Sequence, residues 1–187
     1  MVKFYIEMYS ILEAQKTAQI LQIYEDTGLA TFLISFPFQK ISLLSKVIVN
    51  NTEVNGIYSY RSNQCEISVF RLAKDFGQVF KYQNFYSIST LAINQTRAIQ
   101  TTAIHELGHH IHAFLQQTYP QFFRKTMQIP IVFGLSQYAR KDNLEYFAEC
   151  FTAFVFCRAK LLQHDQIGYN MIVEGLEILE IQVKEIS

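Results

Sequence analysis

The sequence has no excess of either charge: 16 lysines and arginines stand against 16 aspartates and glutamates, and no long run carries one sign. That excludes the basic stripe of a nucleic-acid binder, and no nucleic-acid partner is expected. There is no run of about 18 apolar residues, so no membrane-spanning helix is expected. The opening residues, Met1 to Tyr9, lack the long apolar stretch and small-residue cleavage site of a secretory signal. The chain is therefore read as cytoplasmic, as exported or delivered to a host by a route that needs no such signal, or as a mature form. Cysteine is scarce and odd in number: Cys65, Cys150 and Cys157. On one helix Cys150 and Cys157 would lie about 10 Å apart along the axis, too far to bridge. Free buried thiols in a reducing compartment are expected. Repeats and low-complexity segments are also missing.

Half of the 187 residues are hydrophobic, with 16 Phe and 11 Tyr, enough to pack a core. Residues 1–187 are read as one domain, and a monomer is expected. Apolar residues between Ser10 and Thr27 follow a helical spacing, and Gly28 can end that helix. Residues 29–44 read as a strand or buried segment broken at Pro37. Three strands are expected next, Lys46–Val49, Gly56–Arg61 and Cys65–Phe70, the last two forming a hairpin across Ser62-Asn63-Gln64. Residues 71–95 show no clear period. A helix is expected from about Thr96 to Gln117, ended before Pro120. The segment Tyr119 to Gly134 holds two of the three prolines, and reads as an ordered loop at a cleft mouth or a core connector. A helix capped by Asp142 or Asn143 should run to about Gln163, and a last one from about Asp165 to Lys184. The fold class is α+β: a small, mostly antiparallel sheet, a central helix beneath it, and a helical C-terminal half.

That central helix carries His105-Glu106-Leu107-Gly108-His109. Two histidines four residues apart lie one above the other on a helix, so both imidazoles can reach one zinc ion with Glu106 beside the remaining position. A chain of this composition is expected to contain about 0.01 such HExxH pentapeptides by chance. Catalytic zinc keeps three protein ligands and one open position, so a third ligand must come from elsewhere. Glu145 and Glu149 are also four apart, within an apolar run of Tyr146, Phe147, Ala148 and Phe151. A buried carboxylate is costly unless paired or bound to a metal. Zinc would satisfy one of the two and the free N–H of a zinc-bound histidine the other. Arg140, Lys141 and Arg158 are the alternative partners. His112 lies near the face of His105 but about 10 Å along the axis, so the three histidines cannot share one ion. His110 should point away from it, and His164 reads as a helix-end histidine.

Taken together, His105-Glu106-Leu107-Gly108-His109, Ser136-Gln137-Tyr138-Ala139 and Asn143-Leu144-Glu145-Tyr146-Phe147-Ala148-Glu149 resemble the catalytic domain of the anthrax lethal factor-like zinc peptidases. These gluzincins include the clostridial Pro-Pro endopeptidases. The resemblance spans roughly residues 101–156. It implies a zincin-like fold with Zn2+ held by His105, His109 and Glu145, and Glu106 as general base. Glu149 would orient a ligand histidine, and Tyr138 would hydrogen-bond the developing oxyanion. It implies further that a protein or peptide substrate binds in extended form along an edge strand of the sheet, either Cys65–Phe70 or its neighbour. His112 departs from the acidic residue expected there. The implied activity is that of a zinc endopeptidase, including an effector or toxin-like one. The rival class is a zinc-stabilised, non-hydrolytic interaction module or inactive relative. Such a module would close its site with four ligands and would have no use for Glu106 or Tyr138. The repressor-cleaving HExxH peptidases lack this tyrosine and glutamate spacing.

Overall fold

The computed structural model describes residues 6–7, 11–44, 47–54, 56–68, 95–131 and 139–185. After the two-residue strand β1 (Ile6–Glu7), helix α1 (Ile11–Asp26) turns Ile20, Ile23 and Tyr24 inward, the spacing of one buried helical face. The chain then passes Gly28 at φ 80°, a left-handed conformation that glycine adopts without strain. The next segment, expected as a strand or a buried segment broken at Pro37, is only partly a strand. Leu29–Ser35 is a helix, α2, with Leu29, Phe32 and Leu33 buried at i, i+3 and i+4. Only Lys40–Leu44 is extended, as β2.

Strands β3 (Val47–Val49) and β4 (Thr52–Val54) make a small hairpin of their own. Its turn residues Asn50 and Asn51 both have positive φ, the conformation that a two-residue hairpin turn demands. Strands β5 (Gly56–Ser59) and β6 (Gln64–Ser68) form the expected antiparallel hairpin. The larger sheet has the order β1-β2-β6-β5. Both β1–β2 and β2–β6 are parallel, so the sheet is mixed and not mostly antiparallel as the sequence suggested. The reason is the connection: β3 and β4 intervene between β2 and β6, which leaves room for a crossover that a tight turn cannot make. The strand containing Cys65 is therefore central. Among the described residues the sheet's free edge on this side is its neighbour, β5. The unassigned stretch 71–94 and the end of the predicted strand at 69–70 lie outside the described residues.

Helix α3 (Gln95–Thr118) matches the helix expected from about Thr96 to Gln117. Pro120 does not begin a loop: it opens the short helix α4 (Pro120–Thr126), where the first helical turn has no use for the N–H that proline lacks. Helix α5 (Asn143–Phe156) is capped by Asp142, whose carboxylate accepts from the backbone N–H groups of Leu144 and Glu145. Asn143 instead donates to the carbonyls of Thr126 and Ile129, tying α5 to the end of α4. All residues from Glu145 to Phe156 are buried, so the helix is enclosed by its neighbours on every side. The helix stops at Cys157, short of the expected Gln163. A separate helix α6 (Arg158–His164) follows, and the Arg158 N–H exposed by the break is taken up by Glu185 Oε1. Helix α7 (Gln166–Ile178) is capped by Asp165 and ends before the predicted Lys184.

Helices α3 and α5 pack closely because of Gly108. A Cβ there would lie 3.0 Å from Ala148 Cα and 3.2 Å from the Phe151 ring, so a side chain would hold the two helices apart. Tyr24 ties α1 to the same helix through the carbonyl of Ala103. Among the described residues no helix is long and apolar enough to cross a membrane.

Candidate metal centre

The close approach of α3 and α5 sets two helical faces against each other, and polar groups meet there in an otherwise apolar core. His105 and His109 project from α3 with ring centroids 4.8 Å apart. Each places Nε2 3.1 Å from the same atom, Oε2 of Glu145 on α5. The three donor groups lie within 4.8 Å of one another, and all three residues are buried. Glu145 sits in the first turn of α5, so the Asp142 cap that fixes this turn also fixes the carboxylate. Its other oxygen, Oε1, accepts from the Lys141 ammonium at 3.1 Å.

The distal nitrogens are held as well. His105 Nδ1 is 2.9 Å from Glu149 Oε1, one helical turn beyond Glu145. His109 Nδ1 is 3.1 Å from the hydroxyl of Tyr60, just after β5. Burial would lower the pKa of His105, but its bonds to Glu145 and Glu149 outweigh that and raise it to about 10. The His105 imidazolium thus donates through both ring nitrogens. His109 shares the same carboxylate beside that cation, and burial together with His105 keeps its pKa below the usual value. It is therefore neutral, donating through Nε2 to Glu145 and accepting at Nδ1 from Tyr60. Burial would raise the pKa of Glu145, yet the two histidines hold its carboxyl well below the usual carboxylate range.

Glu106 lies beside this group and differs from its neighbours. It is buried, and its Oε2 finds no hydrogen-bond partner among the described residues. Burial, with the Glu145 charge, raises its pKa to about 7 against the pull of His105. Strand β5 runs past it so closely that a Cβ on Gly56 would lie 2.6 Å from Glu106 Oε1. Gly56, Tyr58 and Tyr60 alternate along the chain and meet one stripe of α3: Gly56 meets Thr102 and Glu106, Tyr58 meets His110, and Tyr60 meets His109.

The structure brings together five of the six residues singled out by sequence: His105, Glu106, His109, Glu145 and Glu149. The sixth, Tyr138, lies outside the described residues. His112 is fully buried and turned to α4, its Nε2 donating to Thr126 Oγ1 at 2.8 Å while its ring stacks on Phe147. His110 points away from the group, donating through Nε2 to the carbonyl of Phe36. His164 closes the last turn of α6. Gly56 and Tyr60 were not singled out. The alternation of a strand places 56, 58 and 60 on one face, but nothing local says that this face meets the histidine helix.

Two imidazole nitrogens and one carboxylate oxygen converging from buried residues are a donor set that could hold a metal ion. No protein-family profile matches the chain, and no curated protein is significantly similar to it.

Proposed function

We propose that the protein is a zinc-dependent endopeptidase of the gluzincin kind, with zinc held by His105, His109 and Glu145. The observation that carries this reading is Glu106, a buried carboxylate with a free oxygen and a pKa near 7 beside the three converging donors. A closed structural site uses four ligands and needs no such neighbour, whereas among the described residues this group numbers three. The donor set of nitrogen and oxygen atoms fits zinc, and the distal contacts from Glu149 and Tyr60 are those that hold imidazole ligands in place.

When bound, the ion would lower the pKa of a water molecule and polarise the scissile carbonyl. The chain's own residues supply the proton transfers and the alignment. Glu106, poised near neutral pH, accepts the water proton on its unpartnered oxygen and delivers it to the leaving amine. Asp142 and Lys141 hold Glu145 so that Oε2 faces the two histidines. Strand β5 offers its edge to an extended peptide, with Gly56 bringing the backbone against Glu106. Tyr138 is proposed as the oxyanion donor on its spacing of seven from Glu145, and the substrate is a protein or peptide.

The test is metal analysis with a peptide-library digest on wild type, His105→Ala, Glu106→Gln and Glu145→Ala. The expected result is one zinc per chain and cleavage for wild type, no zinc for His105→Ala, reduced zinc for Glu145→Ala, and zinc without cleavage for Glu106→Gln. Full zinc in the Glu145 variant would refute the ligand assignment. Cleavage by Glu106→Gln at the wild-type rate would refute the mechanism.

A further inference from the structure

Each of the two histidines that meet Glu145 has a second ring nitrogen, and the two are held differently. His105 Nδ1 is bonded to Glu149, a carboxylate on the same helix as Glu145. His109 Nδ1 is bonded to a phenol from another part of the fold: Tyr60 Oη lies 3.1 Å away, with the rings 6.0 Å apart and edge-on. A carboxylate can only accept, whereas a hydroxyl can donate or accept.

That difference matters for His109. In the arrangement seen here its Nε2 donates to Glu145, so its Nδ1 is the acceptor and Tyr60 donates. A metal at Nε2 requires the imidazole proton to sit on Nδ1 instead, and Nδ1 must then donate. Tyr60 can turn its hydroxyl and accept without moving, so one residue holds the ring in both tautomers. A carbonyl or carboxylate at this position would serve only the second.

Resting on the zinc reading above, we infer that Tyr60 is a positioning residue for His109, its hydroxyl holding Nδ1 so that Nε2 faces the metal. The sheet is thereby part of the centre's support: α5 buttresses His105 through Glu149, and the β5–β6 hairpin buttresses His109 through Tyr60. Tyr58 supplies the internal control. It stands two residues away on the same face and bonds His110, which is not one of the converging donors.

The experiment measures zinc affinity by competition with a chromophoric chelator on wild type, Tyr60→Phe, Tyr58→Phe and His105→Ala, with far-UV circular dichroism as the check of folding. Cobalt absorption spectra of the same proteins report ligand geometry directly. The expected result is a 10- to 100-fold weaker zinc affinity, about the range for loss of a ligand's hydrogen-bond partner, and a shifted cobalt band for Tyr60→Phe only. Tyr58→Phe should match wild type in both. Wild-type affinity with an unchanged cobalt band in Tyr60→Phe would overturn the assignment, and so would equal weakening in both tyrosine variants. If wild type binds zinc no better than His105→Ala, the metal reading itself fails and Tyr60 with it.

Discussion

Replacing His112 by glutamine should flatten the acid sensitivity of the fold. The ring is fully buried between α3, Thr126 and Phe147, and burial with His109 nearby lowers its pKa to about 3. The unfolded chain binds this proton near pH 6.5. The unfolded state therefore holds more protons than the folded state between these values, and stability falls as pH falls through that window. Between pH 7 and 5 the loss from one such histidine is about 2 kcal/mol, with a limiting slope of about 1.4 kcal/mol per pH unit. His110, lowered to about 4 by burial, adds a similar loss over the same range. His105 acts in the opposite sense: its raised pKa contributes stability that is full below about 6.5 and is lost as pH rises towards 10. That contribution is common to wild type and variant, so the difference between them isolates His112. Glutamine keeps a donor for Thr126 and does not titrate. Urea unfolding with a chelator present, at pH 7, 6 and 5, should show His112→Gln losing about 2 kcal/mol less than wild type across the range. Parallel losses in the two proteins would refute the claim that His112 is buried uncharged.

Gly56→Ala is expected to keep metal and fold but lose about 100-fold in kcat, because the new methyl would stand 2.6 Å from Glu106 Oε1 and push the base aside. An unchanged kcat on the peptide found in the library digest would show that β5 does not position Glu106. Zinc binding at pH 8 should release at least about one proton per ion, since His105 carries two N–H groups here while the His109 proton moves between its own nitrogens. Calorimetry in buffers of different ionisation enthalpy measures this, and no release would refute that proton inventory. Asp165→Ala should destabilise the fold by about 2–3 kcal/mol, as it removes both the α7 cap on the Gly168 N–H and the buried acceptor of the Tyr146 hydroxyl. Chemical denaturation reads the change, and a loss within about 0.5 kcal/mol, the range of ordinary surface substitutions, would contradict it.

What the sequence disclosed was whatever a single helix can encode. His105 and His109 share a face because they are four residues apart, and Glu145 and Glu149 stood out as carboxylates in an apolar run. Their meeting across α3 and α5 followed from the cost of burying charge. Contacts between distant segments were a different matter. Tyr60 and His109 are 49 residues apart in sequence, and no local period announces a bond between a strand end and a helix. The parallel pairing of β2 with β6 was hidden for the same reason, since it depends on where a crossover lands. Helix α2 was open to a strand or a buried segment because Phe32 and Ile34 suit a strand by propensity, while burial of Leu29, Phe32 and Leu33 decides for a helix. The break at Cys157 has no glycine or proline to mark it. Its freed N–H is satisfied by Glu185, 27 residues away in sequence.

The segment after α7 also reaches the other end of the described chain. The Lys184 N–H donates to the carbonyl of Thr27, the carbonyl of Gln182 lies against Gly28, and the Arg158 guanidinium donates to the carbonyl of Val183. The joint between α1 and α2 is thus sealed by residues that a ribosome delivers more than 150 positions later. During synthesis that joint must wait, its carbonyl open, until residue 184 has cleared the exit tunnel. A released chain truncated after Leu179 should leave the α1–α2 joint sensitive to protease even though α3 and α5 have docked.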